Sequence, residues 1–129
     1  MIAKKFEDLI FWQKARELTK LVYSHSKTGT FQKDFGLKDQ IRRAFVSIMA
    51  NIAEGFGRGG NKEFIQFLFV AKGSLAETQS HLHVALDQEY IDNAKFKVGY
   101  DKADEITRLI NAFILSIEKG DKKGFKNIS

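Results

Sequence analysis

Apolar residues recur at steps of three and four through four long segments, and no proline interrupts any of them. That period places the apolar side chains of each segment on one face of an α-helix. Proline at its average usage of about 5% would contribute roughly six residues to a chain this long, so its absence favours helix and disfavours a turn-rich all-β fold. The segments are about residues 8–27, 35–56, 62–88 and 92–119. The first carries Phe11, Ala15, Leu18 and Val22 on its stripe, and the second Leu37, Ile41, Ala44, Ile48 and Ile52. In the third the stripe is Phe64, Leu68, Ala71, Leu75, Leu82 and Leu86. The fourth uses Phe96, Tyr100, Ala103, Ile106, Ile110, Phe113 and Ile117. Four amphipathic helices with mostly short connections bury their stripes together as an antiparallel, up-and-down four-helix bundle, an all-α single domain over residues 1–119. Residues 120–129, GDKKGFKNIS, read as a flexible basic tail.

The connections carry their own signals. SKTGTFQKDFG is the longest break in the pattern. GFGRGGN ends the second helix with glycines able to take positive φ, and Asn61 suits the N-cap of the third. EYIDNA makes a short turn before the fourth.

Some apolar residues lie off these stripes. At about 100° per residue, Ile65 and Phe69 sit well around the third helix from Phe64. Phe67 completes the run FIQFLFV, while Phe45, Met49 and Phe56 form a second line on the second helix and Trp12, Thr19 and Tyr23 one on the first. A compact bundle with wide apolar faces accounts for part of this, since scattered exposed apolar residues are ordinary. A contiguous patch points instead to a homo-oligomer interface, with Trp12, Phe45, Met49, Phe56, Ile65, Phe67 and Phe69 as its candidates.

Charge is unevenly placed. Of the net +5, residues 1–62 carry +6 and residues 63–129 carry −1. Lys14, Arg16, Lys20, Lys38, Arg42 and Arg43 from the first two helices, with Arg58 and Lys62 beside the glycine loop, form the candidate nucleic-acid surface. The competing account makes them ordinary solvated residues, with Asp39 beside Arg43 and Glu17 near Lys20 forming surface pairs of small value. Repetition around an oligomer favours the first account, because a modest basic patch gains avidity on a long polyanion.

Catalytic chemistry finds little purchase. There is no cysteine, which removes thiol nucleophiles, thiolate metal sites and disulfides together and fits a reducing, cytoplasmic setting. GFGRGGNK follows a helix rather than a strand and lacks the terminal Gly-Lys-Ser/Thr of a phosphate loop, so helix termination explains it better. His81 and His83, two residues apart, point to different sides of one helix and cannot chelate together, and His25 stands alone. Gly73-Ser74 lies within a helix, not on a nucleophile elbow. The chain is expected to be non-enzymatic, without cofactor or metal, and with no segment of the roughly 20 apolar residues that crosses a membrane.

FEDLIFWQKARELT at Phe6–Thr19 and GLKDQIRRAFVSIMANIAEGFGRGGNKEFIQFLFVAKGSLAETQSHL at Gly36–Leu82 resemble the four-helix-bundle family encoded in intervening sequences of bacterial large-subunit ribosomal RNA genes. The matching phrases are Ile41-Arg42-Arg43-Ala44, Ala50-Asn51-Ile52-Ala53-Glu54-Gly55 and Lys62-Glu63-Phe64. A related group is the accessory protein of diversity-generating retroelements. The resemblance implies a bundle of uncertain biochemical role, a homopentamer and an association with ribosomal RNA or other nucleic acid. The alternative function is a protein-interaction scaffold with no nucleic-acid partner. Where the family usually carries proline this chain has Met49, which removes the expected cause of a kink in the second helix. Asn51 and Glu54, polar residues close to apolar surface, read as helix–helix or subunit hydrogen-bonding groups.

Overall fold

The computed structural model describes residues 3–119. After a 3₁₀ turn at Phe6–Asp8, the chain forms α1 (Ile10–Ser26), a second 3₁₀ turn at Phe31–Lys33, α2 (Phe35–Gly57), α3 (Asn61–Asp87) and α4 (Asn93–Glu118). The expected tail at residues 120–129 lies outside the described residues. Each helix packs antiparallel on the next in sequence, and α4 closes against α1. Phe11 meets Phe113 and Lys14 meets Glu105 across α1 and α4, Ser47 meets Ser74 across α2 and α3, and Gln79 reaches Tyr100 and Asp104 across α3 and α4. This is an all-α, up-and-down four-helix bundle. No helix among the described residues is long and apolar enough to cross a membrane.

The four stripes meet in one core. Leu18, Ile41, Ile48, Ile52, Phe64, Leu68, Leu75, Ile106 and Ile110 are fully enclosed. The buried threonines are satisfied within the fold: Thr19 and Thr78 hydroxyls donate to the carbonyls of Ala15 and Leu75 at 2.8 and 2.7 Å. Asn51 Nδ2 donates to the Ser47 carbonyl and hydroxyl at 2.8 and 3.0 Å, and the Ser47 and Ser74 hydroxyls are 3.0 Å apart. Asn51 therefore belongs to a polar chain linking α2 to α3, whereas Glu54 pairs with Arg58 on the surface at 2.8 Å.

α2 and α3 approach closely at Gly55. A Cβ there would come within 2.6 Å of Phe67 Cβ and 2.9 Å of Phe64 Cδ1, so only glycine lets α2 and α3 pack at this distance. α2 runs unbroken through Met49. Past its end, Gly59 takes φ 86° and turns the chain toward α3. Gly60, not Asn61, occupies the N-cap; Asn61 is already the first helical residue.

The other end of the bundle is tied by side chains. Asp34 caps α2 by accepting from the Leu37 N–H at 3.1 Å and receives the Tyr90 hydroxyl at 2.8 Å, while Tyr90 stacks on buried Phe31 at 5.2 Å. These bonds, the Leu37 amide first and Tyr90 second, hold the Asp34 carboxyl below its ordinary pKa, and the same carboxylate raises the Tyr90 phenol. Asp92 caps α4 through the Lys95 N–H at 2.8 Å.

The second apolar lines need correction. Phe45 is fully enclosed and Phe56 is 5% exposed, so both belong to this chain's own core and neither is available to a second copy. Phe45 follows Ile41 by one turn, roughly 40° around the helix, and a bundle helix flanked by two neighbours buries an arc wide enough to include it. Lys38 and Arg42 therefore do not continue into an outer apolar line through Phe45. Met49, Ile65 and Trp12 are partly buried and pack against the same core. Phe69, at 53%, is the exposed member of the set.

Candidate nucleic-acid interface

The basic residues of α1 and α2 do not form one uniform patch. On α1, residues 12, 16 and 23 fall on the edge facing α2, with Lys20 slightly further out. Trp12, Gln13, Arg16, Glu17 and Lys20 line a shallow groove of about 240 Å³. Beyond it, Tyr23 joins Asp39, Arg42, Arg43, Val46 and Ser47 around an open groove of about 430 Å³ between α1 and α2. The two grooves open on the same side of α1, one holding Arg16 and Lys20 with Trp12 and the other Arg42 and Arg43 with Tyr23, and together they form a seam.

Packing explains how these cations are held. The Arg42 guanidinium lies 4.4 Å from the centre of the Tyr23 ring, and its Nε donates to Ser26 Oγ at 2.9 Å. Arg16 lies over Trp12 at 5.9 Å, and Phe6 meets the same indole edge-on at 5.0 Å. Arg43 pairs with Asp39 at 3.2 Å with both side chains largely exposed, a contact of little energetic value that a stronger anion can displace.

The remaining candidates lie apart from the seam or at its edge. Lys14 faces α4 and pairs with Glu105 at 3.4 Å. Lys38 sits 5.0 Å over the exposed Phe35 ring. Arg58 is tied to Glu54 and lies 5.1 Å over Phe67, and Lys62 is exposed at the start of α3. Two candidate oligomer contacts, Phe67 and Phe69, thus carry cations, the second under Lys72 at 5.0 Å. The sequence showed charge and aromatic residues as separate signals; the missed link was their i,i+4 spacing at Trp12 and Arg16.

The histidines are distributed among different contacts. His83 packs against Phe96 and Tyr100 at 4.8 and 5.7 Å, while His81 Nε2 faces Glu77 at 3.4 Å without hydrogen-bond alignment. The buried His25 Nε2 has no protein hydrogen-bond partner, and burial, reinforced by the Lys95 charge, lowers its pKa. Among the described residues no group of three His, Asp or Glu side chains is placed to hold a metal ion.

Fold and surface together define a four-helix bundle with a basic, aromatic-lined seam on one side. The profile of the family described as 23S rRNA-intervening sequence protein matches residues 7–112, and the chain belongs to that family. A crystal structure from Bacteroides thetaiotaomicron, of a protein of unknown function from the S23 ribosomal protein family, superposes with a TM-score of 0.74. It is 27% identical and the match covers 81% of this chain and 98% of that one. No curated protein sequence matches the chain.

Proposed function

We propose that this protein is a non-catalytic, cytoplasmic homo-oligomer, a pentamer by family resemblance, that binds structured nucleic acid, with ribosomal RNA as the first candidate. The observation that carries the binding reading is the seam made of two open grooves, one on α1 where Arg16 and Lys20 stand beside Trp12 and one between α1 and α2 where Arg42 and Arg43 stand beside Tyr23. The family description, which refers to 23S rRNA, points the same way. Exposed Phe35, Phe69, Val70 and Leu115 supply apolar surface for contacts between copies. Arrayed copies would give a modest patch avidity on a long polyanion.

Binding of an RNA hairpin followed across a salt series tests this. Four phosphate contacts per protomer give a log–log slope of roughly −3 to −4, and thus roughly a hundredfold loss of affinity between about 50 and 200 mM salt. Absence of binding at the low-salt end, by protein of native helix content, would contradict the reading and favour a protein-interaction scaffold.

A further inference from the structure

The seam differs from a surface built to stack bases. Sites for single strands offer bare aromatic faces to the bases and place cations along the backbone. Here cations occupy a face of each ring: Arg42 lies 4.4 Å from the centre of Tyr23 and Arg16, more loosely, 5.9 Å from that of Trp12. Trp12 is further enclosed by Phe6 and the core. A base that stacked on the Tyr23 face under Arg42 would have to displace a guanidinium also held by Ser26.

The same packing suits phosphates. With Nε engaged by Ser26 and the guanidinium plane supported by Tyr23, the two terminal nitrogens of Arg42 have no protein hydrogen-bond partner among the described residues, and the side chain lines the open groove. A guanidinium already fixed loses less freedom on making a two-pronged phosphate contact than one on a free chain. We infer that Tyr23 and Trp12 are positioning residues for Arg42 and Arg16, and that the seam recognises the phosphate backbone of a duplex, not unstacked bases. This rests on the nucleic-acid reading above and specifies its substrate class. An A-form RNA helix, recognised through shape, phosphates and 2′-hydroxyls, is the matching ligand.

Fluorescence anisotropy with two labelled probes separates the cases: a blunt RNA duplex of about 16 base pairs, long enough for a shape-reading site, and one of its strands designed to remain unstructured. The full chain is expected to bind the duplex several-fold more tightly. Tyr23→Leu should weaken duplex binding roughly two- to fivefold, the range of an exposed cation–ring contact, without changing the salt slope, because no charge is lost. Tyr23→Phe, which keeps the ring, should retain affinity. Arg42→Gln should weaken binding and reduce the slope by about one. Circular dichroism and thermal midpoints verify that each variant is folded. Tighter binding to the single strand, or a Tyr23→Leu variant that is folded and binds the duplex unchanged, would overturn the inference. Binding of neither probe by the unaltered protein would remove the nucleic-acid reading itself, a distinct outcome.

Discussion

Glu89 holds φ at 60°, a left-handed conformation that costs a side-chain-bearing residue about 1–2 kcal/mol. It does so because α3 ends there in a paired-bond cap: the Glu89 N–H donates to the Leu86 carbonyl and the Tyr90 N–H to Ala85, each at 2.9 Å. Glu89→Gly should therefore raise stability by about 1 kcal/mol, read as a higher denaturant midpoint with unchanged slope; a lower midpoint would contradict this account. His25 supplies a pH dependence. Its folded pKa lies below the ordinary 6.5, so the unfolded chain takes up the proton first as pH falls. The His25 contribution should make the protein lose stability as pH drops through the interval below 6.5, with no further loss once both states are protonated. Thermal midpoints across that interval, flatter in His25→Gln than in the unaltered protein, check it. Neither feature was legible in the sequence. Nothing in EYIDNA marks Glu89 as the left-handed residue where glycine is usual, and His25's burial depends on α4, distant in sequence. Phe31 was missed for a related reason: its linker is polar and irregular, and its burial comes from packing on Tyr90 and the core, both distant in sequence.

At the level of helices, Gly55 and Gly73 make opposite forecasts from the same substitution. Gly55→Ala places its methyl against Phe67 and Phe64, so overpacking of about 1–3 kcal/mol should exceed the roughly 1 kcal/mol of helix propensity gained. Gly73, in the body of α3, has open space around it, and Gly73→Ala should stabilise by up to about 1 kcal/mol. Chemical denaturation of the two variants checks the pair; a stabilised Gly55→Ala would mean that α2 and α3 are not so close. Element positions were largely legible, because the 3.6-residue stripes in all four helices contribute core residues. The width of each buried arc was not. Phe45 and Phe56 looked surplus when each helix was considered to have one narrow stripe, yet a helix in a four-membered bundle faces two neighbours and the centre together. The candidate site was legible in part: Arg16, Lys20, Arg42 and Arg43 follow from the charge count and the Arg16–Trp12 contact from i,i+4 spacing, but the stacking of Arg42 on Tyr23 and the withdrawal of Lys14 toward Glu105 depend on which helix lies beside which.

For the whole molecule, the uneven charge acquires a place. The +6 of residues 1–62 lies largely on α1, α2 and the loops beside them, with four of its cations along one seam. The proposed oligomer would multiply that seam. Light scattering should give a mass several times 14.7 kDa at micromolar concentration, and a stable monomer would end the oligomer reading. The central claim, that this seam engages phosphates, is tested most directly by the salt dependence of RNA-hairpin binding for the unaltered protein and for an Arg42→Gln, Arg43→Gln variant. The account predicts a steep loss of affinity with salt in the first and, in the folded variant, weaker binding across hairpin sequences with a slope shallower by up to about two. Identical affinity and slope in the two proteins would contradict it.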